Sequence, residues 1–175
     1  MISVAQALDA LFALVEPLDV EEVPLGQAHG RVLARSLFAQ RTQPPFSASA
    51  MDGYAVAGSS AAPGAVFTVI GESAAGHRFD GPVAAGQAVR IFTGAPLPAG
   101  TDHVVIQEDV IRAGDTISLH DDLDAGPYVR PAGADFAEGS PLNAPRLLGP
   151  NDIALLAAMN IAAVPVRRKP QVALM

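Results

Sequence analysis

Apolar residues recur every three or four positions near the N-terminus, as they do along one face of an amphipathic helix. These positions are Val4, Leu8, Leu11, Phe12 and Val15. Ser3 and Gln6 have the spacing of a capping box, which predicts a helix that starts after Ser3, and Pro17 stops it. Because an apolar helix face is unfavourable in water, we expect this helix to pack against another element.

A second, shorter helical pattern covers residues 25–33, and the helical period fades from Ser36 onward. From about residue 44 to residue 138, short β-prone runs alternate with segments that carry Gly or Pro at turn spacing. The best strand candidates are residues 66–70, 89–92, 104–107 and 116–119, with a hairpin turn at 112–115. The pattern predicts a mostly β module with the size of a small domain.

The helical pattern returns in "GPNDIALLAAMN", residues 149–160, with Pro150 before the first turn. Asn151 or Asp152 is the predicted cap at its start, and Asn160 is the predicted left-handed residue at its end. Helix-containing segments therefore flank the β-rich module. This arrangement predicts an inserted domain on a split base domain.

The remaining chain, residues 161–175, is apolar and extended in character. Pro165 and Pro170 confine it to sheet edges or to a linker, because proline cannot donate to a sheet ladder. The four consecutive apolar residues 172–175 have the pattern of a buried strand that opens a parallel α/β domain. We therefore expect another domain to begin there.

The charge balance narrows the classes of partner. The chain has 175 residues with 50% hydrophobic and 17% charged residues, and its net charge is −7. Its one lysine, Lys169, stands beside Arg167 and Arg168, so there is no basic stripe for a nucleic-acid backbone. No apolar run is long enough for a membrane helix, and the acidic first thirty residues do not have the pattern of a secretory signal. The absence of cysteine excludes disulfides and fits a cytoplasmic protein.

Common catalytic motifs are absent from the sequence. It contains no glycine loop of the GxGxxG or Walker type and no HExxH. The four histidines are widely spaced, which favours ordinary surface or hydrogen-bonded roles. The acidic run Asp121, Asp122 and Asp124 lacks the glycine and the distal glutamate of a calcium loop, so we interpret it as a solvated loop.

Three short stretches place polar residues among small ones, and each has two interpretations. In "SASAMDGYAV", residues 47–56, Asp52 and Gly53 form an ordinary turn with Gly53 at positive φ, or the turn presents a carboxylate. In "IFTGAPLPAGTD", residues 91–102, the Thr93 hydroxyl and the Gly94 N–H hold an anion, or the loop is a rigid turn. In "VRPAGADFAEG", residues 129–139, Asp135 has a chemical role or caps the loop.

Taken together and in this order, the three stretches resemble the N-terminal half of the molybdopterin molybdenumtransferase family, the MoeA-type enzymes and the E domain of gephyrin. The family's "SAMDGYA" stands at residues 49–55, and its "TGAPLPxGxDxVVxxED" stands at residues 93–109. Its "R…GED…G" element is present with one departure, since Ala134 replaces the usual Glu. The matching residues of that element are Arg130, Gly133, Asp135 and Gly139.

The resemblance implies an α+β fold that is predominantly β, in which a split helix-containing base domain carries an inserted β-rich domain of coiled, bifurcated sheets. Residues 1–19 would be an N-terminal helix that packs on a third domain. Residues 20–42 and 139–171 would form the connecting domain I, and residues 43–138 the inserted domain II. Residues 172–175 would begin the α/β domain III.

The resemblance also implies a function. Family members are cytoplasmic homodimers that insert molybdate into adenylylated molybdopterin, with Mg²⁺, and release AMP and molybdenum cofactor. Their pathway partner is molybdopterin adenylyltransferase. By this carry-over the catalytic residues are Asp52, Thr93 and Asp135, and the substrate-binding residues are Ser49, Met51, Gly53, Gly94 and Arg130. The chain itself holds no complete metal site, and Asp52 contributes to one indirectly.

Because molybdate and phosphates are anionic, carboxylates near them should act through magnesium or through hydrogen-bond donors. We expect the Thr93 hydroxyl and the Gly94 N–H to donate to an anionic oxygen. The family's "TGDEL" acids and C-terminal β-barrel are not in this sequence, so we expect an inactive N-terminal fragment of a larger enzyme. A non-catalytic interaction or scaffold module of the gephyrin E-domain type and a stand-alone β-rich ligand binder stay open, as does molybdenum versus tungsten.

Overall fold

The computed structural model describes residues 2–124 and 126–175. The chain divides into two compact units: one holds residues up to Arg41 together with Glu138–Met175, and the other is Thr42–Ala137. The second unit is therefore inserted between the two segments of the first. Short strands dominate both units and only two α-helices occur in the described residues, so the predicted α+β, predominantly β fold class is confirmed.

The first unit is built from two helices and six strands. In chain order they are α1 (Val4–Phe12), β1 (Val20–Pro24), β2 (Val32–Leu33), β3 (Leu37–Phe38), β12 (Pro141–Leu142), β13 (Arg146–Leu147), α2 (Pro150–Ala158) and β14 (Ala163–Arg167). Four strands form one antiparallel sheet in the order β1-β14-β2-β13, and β3 pairs with β12. The core of this unit includes the fully buried Leu33, Leu156, Val164 and Val166.

The prediction for Pro165 is wrong. Strand β14 contains Pro165 and lies between β1 and β2 rather than at a sheet edge. Proline lacks only the N–H, and its carbonyl accepts a hydrogen bond from the Ala34 N–H at 2.9 Å. Residues 171–175 form no strand in this structure and are exposed, in contrast to the buried strand that their apolar character predicts.

Helix α1 starts as predicted and ends earlier. The Ser3 hydroxyl accepts from the Gln6 N–H, and the Gln6 side chain accepts from the Ser3 N–H, which confirms the capping box. The helix ends at Phe12, five residues before Pro17. None of its nine residues is buried, so the apolar face expected to pack against another element is exposed. No helix in the described part of the chain is long and apolar enough to cross a bilayer.

Of the other two predicted helices, the one at residues 149–160 forms and the one at residues 25–33 does not. Helix α2 forms with Pro150 as its first residue, and its N-cap is Gly149, so the predicted cap at Asn151 or Asp152 is wrong. Asp152 lies in the first turn and accepts a hydrogen bond from the Gly149 N–H. Asn160 follows it at φ 65°, as predicted. The pattern at residues 25–33 gives only a single 3-10 turn, Leu25–Gln27, before β2 begins. Gly30 at φ 72° redirects the chain there, a conformation that a helix does not contain.

The second unit is organised around one six-stranded sheet. The strands of this unit are β4 (Ala48–Ser49), β5 (Gly53–Val56), β6 (Val66–Ser73), β7 (Gln87–Ile91), β8 (His103–Ile106), β9 (Val110–Ala113), β10 (Thr116–Leu119) and β11 (Val129–Arg130). Strands β4 and β11 pair with each other outside the large sheet. The sheet order is β8-β5-β7-β6-β10-β9, with only the β6–β7 pair parallel. All four strand candidates and the hairpin turn between β9 and β10 are confirmed, with ends shifted by up to three residues.

Strand β5 is buried along its whole length. Tyr54 and Val56 point into a cluster with Phe67 and Ile117, while Ala55 packs on the other side of the sheet. Because side chains alternate between the two faces of a strand, burial of all four residues means that both faces of β5 are covered. The residue just before this rigid strand is Asp52.

Candidate functional site

Strand β4 joins the three stretches that the sequence singles out. On one side the Gly94 N–H donates to the Ser49 carbonyl at 2.8 Å, and the Ser49 N–H donates to the Ala95 carbonyl at 3.0 Å. On the other side Ser49 pairs with Val129 and Ala48 pairs with Arg130. The structure therefore brings residues of all three stretches onto one short strand, although they are far apart in sequence.

Asp52 and Thr93 form the central pair of the candidate site. The Asp52 Oδ1 atom accepts two hydrogen bonds, from the Thr93 N–H and from the Thr93 hydroxyl, each at 2.8 Å. The Thr93 N–H bond and then the Thr93 hydroxyl bond lower the pKa of Asp52. Partial desolvation opposes them, and the charge of Arg90 is the smallest contribution that lowers this pKa. Asp52 is half-buried and Thr93 is exposed, so an ionised carboxylate is held in a fixed position at the surface.

Gly53 is required for a reason that the turn interpretation does not give. Gly53 does not adopt a positive φ, so that part of the interpretation is wrong. A Cβ atom at this position would lie 2.0 Å from the Val105 carbonyl oxygen of β8, closer than any side chain can approach. Gly53 thus allows close contact of β5 and β8, and the Asp52 carboxylate binds a loop 41 residues away rather than its own turn.

The donors predicted for an anion are already used inside the protein. The Thr93 hydroxyl and N–H donate to Asp52, and the Gly94 N–H donates to Ser49. An anionic oxygen would have to displace these internal partners, and the predicted anion contact stays a prediction. Gly94 itself has φ 82° with open space where a Cβ would lie, so a ligand can approach the backbone there.

Ser49 and Met51 shape the turn that carries Asp52. The Ser49 hydroxyl donates to the Met51 carbonyl at 2.5 Å and accepts from the Met51 N–H at 3.4 Å. Ser49 is buried, whereas Met51 is exposed. The structure thus gives Ser49 an internal partner, and the assignment of both residues to substrate binding stays a prediction.

Arg130 and Asp135 form a separate pair next to β4. The Arg130 guanidinium donates to Asp135 Oδ1 at 2.5 Å, and the two side chains are 55% and 42% exposed. The Asp135 N–H donates to the Gln43 carbonyl at 3.0 Å, which anchors the loop. The exposed Ala134 directly precedes Asp135.

Sequence reasoning missed Arg90, which contacts the Asp52 turn. Its guanidinium donates to the Gly53 carbonyl at 3.0 Å and to Gln107 Oε1 at 2.8 Å. It also lies 4.6 Å from the ring centroid of Phe92, the residue before Thr93. The sequence signal that could have identified Arg90 is its position near the end of a predicted strand, two residues before Phe92.

An open cavity lies beside the site loop. It has a volume of about 290 Å³, and its lining includes Gly94, Phe46, His77, Arg78 and Pro96. A neighbouring cavity of about 590 Å³ shares Phe46, Arg78 and Pro96. There is room next to Gly94 for a ligand with an aromatic ring.

The residues do not make a metal centre. Within residues 2–124 and 126–175, no group of three or more His, Asp or Glu could hold a metal ion, and this includes the acidic run at 121–124. The Asp52–Thr93 pair offers one carboxylate, and one of its oxygens accepts from Thr93. A single carboxylate is too few for a magnesium site built by protein groups alone.

Comparison with known proteins gives concordant matches. A family model described as the MoeA N-terminal region (domain I and II) matches residues 2–160. Molybdopterin molybdenumtransferase of Synechococcus elongatus is 36% identical over 185 residues, which cover 99% of this chain and 45% of that protein. The Haemophilus influenzae protein of the same name is 35% identical over 158 residues, 89% of this chain and 39% of its own length.

A solved structure gives the same match in three dimensions. The molybdopterin biosynthesis MoeA protein of Pyrococcus horikoshii superposes with a TM-score of 0.86 at 34% identity, over 97% of this chain and 46% of that one. The chain thus spans less than half the length of these relatives.

Proposed function

The chain belongs to the MoeA family of molybdenum cofactor biosynthesis proteins, and on this premise we propose that it supplies part of the substrate site of a molybdopterin molybdenumtransferase. The reaction would insert molybdate into adenylylated molybdopterin and release AMP and molybdenum cofactor. Since the chain spans about 45% of the length of the first relative, we propose that turnover needs the family's remaining domains and that this chain binds substrate without turnover.

The proposed domain assignment follows the two units. The inserted unit would be domain II, and the split unit would be the connecting domain I. Helix α1 would pack on the third domain, a role supported by the exposure of Val4 and Phe12 at 77% and 68%. A cytoplasmic homodimer, with molybdopterin adenylyltransferase as pathway partner, completes the proposal.

The observation that carries the proposal is the fixed Asp52–Thr93 pair. A carboxylate with a lowered pKa is a weak proton acceptor, so Asp52 is better suited to orienting a bound group than to general base catalysis. The Thr93 hydroxyl donates its hydrogen bond to Asp52, so it offers only lone pairs to a ligand. The pair therefore presents acceptors, which suit the N–H and O–H groups of a pterin nucleotide rather than bare molybdate.

The oxyanion then needs a cationic partner, and Arg130 is the candidate among the predicted site residues. Its guanidinium is 55% exposed and pairs with Asp135, so it can reach an anion while Asp135 keeps it oriented. Magnesium stays an expectation from the family.

Titration calorimetry with adenylylated molybdopterin tests the proposal on this chain. We expect binding, and we expect Asp52→Asn to weaken it at least about tenfold, because a hydrogen bond to a charged group contributes about 1.5–3 kcal/mol. Asp122→Asn is the matched control, since it makes the same change of charge on an exposed loop. Equal affinity of Asp52→Asn and the unmodified chain would contradict the assignment. No binding by the folded, unmodified chain would favour the interaction-module alternative.

A further inference from the structure

Three strand ends meet at the candidate site. Gly53 at the start of β5 pairs with Ile91 at the end of β7 and with Ile106 at the end of β8. Asp52 directly precedes the first of these strands, and Thr93 follows the second by two residues. The Asp52 carbonyl accepts from the Gln107 N–H at 3.0 Å, just after the third strand. The geometry of the Asp52–Thr93 pair therefore depends on how these three ends are held together.

Arg90 contacts all three ends. Its two terminal nitrogens donate to the Gly53 carbonyl at the start of β5 and to the Gln107 side chain after β8. Its guanidinium also lies over the Phe92 ring that precedes Thr93, at 4.6 Å from the centroid. The Tyr54 ring lies 5.2 Å away on the opposing strand. One planar cation thus bridges the segments on both sides of the Asp52–Thr93 hydrogen bonds.

We propose that Arg90 is the positioning residue that holds Asp52 and Thr93 in hydrogen-bonding geometry by joining the ends of β5, β7 and β8. Arginine suits this role because its rigid fork donates in two directions while its face stacks on aromatic rings. Lysine would keep the positive charge but has neither the fork nor the planar face. The proposal rests on the proposed function only for its catalytic consequence, since the geometry itself belongs to this chain.

Nuclear magnetic resonance of the chain tests the role without substrate. In Arg90→Gln we expect the Thr93 amide to exchange with solvent about tenfold faster, because its bond to Asp52 opens more often. We also expect the pKa of Asp52 to rise, since both the fixed donors and the nearby positive charge hold it down. Arg90→Lys separates these causes: positioning requires fast Thr93 exchange in this variant too, whereas a purely electrostatic role leaves exchange unchanged.

Two further variants keep the test decisive. Gln107→Ala removes one acceptor of the Arg90 fork at an exposed position, so it should shift both readouts in the same direction by a smaller amount even where Arg90→Gln does not fold. Arg112→Gln is the control, because Arg112 is exposed and donates to the Gly114 carbonyl in its own turn. Unmodified Thr93 exchange in Arg90→Lys and in Gln107→Ala would overturn the proposal.

The failure of this inference is distinguishable from a failure of the proposed function. The exchange rate and the carboxyl titration are measured without any pterin nucleotide. A chain that shows both shifts but does not bind adenylylated molybdopterin would retain Arg90 as the positioning residue and refute the proposed function. If the chain binds adenylylated molybdopterin but Thr93 exchange and the Asp52 titration are unchanged in Arg90→Lys and Gln107→Ala, the proposed function stands and the positioning role of Arg90 is refuted.

Discussion

Two of the predicted site residues in the inserted unit are carboxylates, Asp52 and Asp135, and the structure holds them in different ways. Asp52 directly precedes the buried strand β5 and receives two hydrogen bonds from the uncharged donors of one residue, Thr93. Asp135 is paired with a cation, Arg130, and both side chains are more than 40% exposed. One carboxylate is fixed by neutral groups, and the other is neutralised by an exposed partner.

The difference decides what each carboxylate can present to a ligand. Neutral donors lower the pKa of Asp52 without cancelling its charge. The carboxylate therefore stays negatively charged, and its second oxygen can accept a hydrogen bond from a ligand in a fixed direction. The Arg130–Asp135 pair has no net charge, and an exposed ion pair opens at little cost. Precise orientation therefore belongs to the Asp52 loop, while the Asp135 loop can exchange its internal partner for a ligand anion.

Gly53→Ala should have the largest effect on stability, because it prevents the close contact of β5 and β8 that supports the Asp52 loop. The added Cβ would lie 2.0 Å from the Val105 carbonyl, and we expect the free energy of unfolding to fall by about 3 kcal/mol or more. Urea unfolding followed by tyrosine fluorescence measures this selectively, since both tyrosines of this tryptophan-free chain, Tyr54 and Tyr128, lie in the inserted unit.

The matched control is Gly114→Ala in the turn between β9 and β10. Gly114 has φ 60° with open space around the Cβ position, so the substitution adds backbone strain without a clash and should cost only about 1 kcal/mol. A smaller loss in Gly53→Ala than in Gly114→Ala would show that β5 and β8 can separate, and the Asp52 loop would then not be rigid.

Ser49→Ala should have an intermediate effect, because it loosens the turn before Asp52. Ser49 is buried and its hydroxyl donates to the Met51 carbonyl, and loss of such a bond costs about 1 kcal/mol. The same fluorescence-detected unfolding measures it, with Ser59→Ala at an exposed position as control. If both variants unfold at the same urea concentration as the unmodified chain, the Ser49 hydroxyl has no structural role and its predicted contact with substrate gains weight.

Thr93→Val should change the titration of Asp52 more than the overall stability. The bonds from Thr93 favour the ionised carboxylate, so the pKa in the folded state is below the unfolded value of about 3.9. The resulting stabilisation is present above that unfolded pKa and is lost as the pH falls through the folded pKa. Valine removes the hydroxyl donor and keeps the N–H, so the folded pKa should rise part of the way and this acid-dependent loss should shrink.

Carbon-detected titration of the Asp52 carboxyl measures the change directly, and Thr93→Ser, which keeps the hydroxyl, should titrate as the unmodified chain does. An identical pKa in Thr93→Val would mean that the N–H alone fixes Asp52. The Asp52 and Asp135 loops would then differ less in how firmly they hold their carboxylates than their hydrogen bonds indicate.

The sequence predicts the large sheet well because its strands carry their own pattern. Strands β6, β8 and β10 are rich in β-branched residues and are flanked by turn residues, which local reasoning detects. The two-residue strands β4 and β11 have no such pattern and exist only because they meet each other and the Gly94 loop. Pro165 likewise lies inside a sheet because the surrounding strands need only its carbonyl.

The candidate site divides along the same line. The resemblance to the family identifies Asp52 and Thr93 as candidate site residues. The hydrogen bonds from Thr93 to Asp52 join residues 41 positions apart, and no spacing rule predicts them. The same holds for Gly53, whose requirement comes from the Val105 backbone of another strand. Contacts that form only after the sheet has assembled are the part that sequence reasoning could not supply.

The exposed pair should respond least. Asp135→Asn removes an ion pair whose partners are 42% and 55% exposed, so we expect unfolding to change by less than about 1 kcal/mol, and by still less at high salt. A double-mutant cycle with Arg130→Gln isolates the coupling between the two side chains. Coupling above about 2 kcal/mol would place Asp135 in the same class as Asp52, as a second rigid carboxylate. Weak coupling would leave Arg130 free to exchange Asp135 for an anionic ligand, which is the behaviour that its proposed role requires.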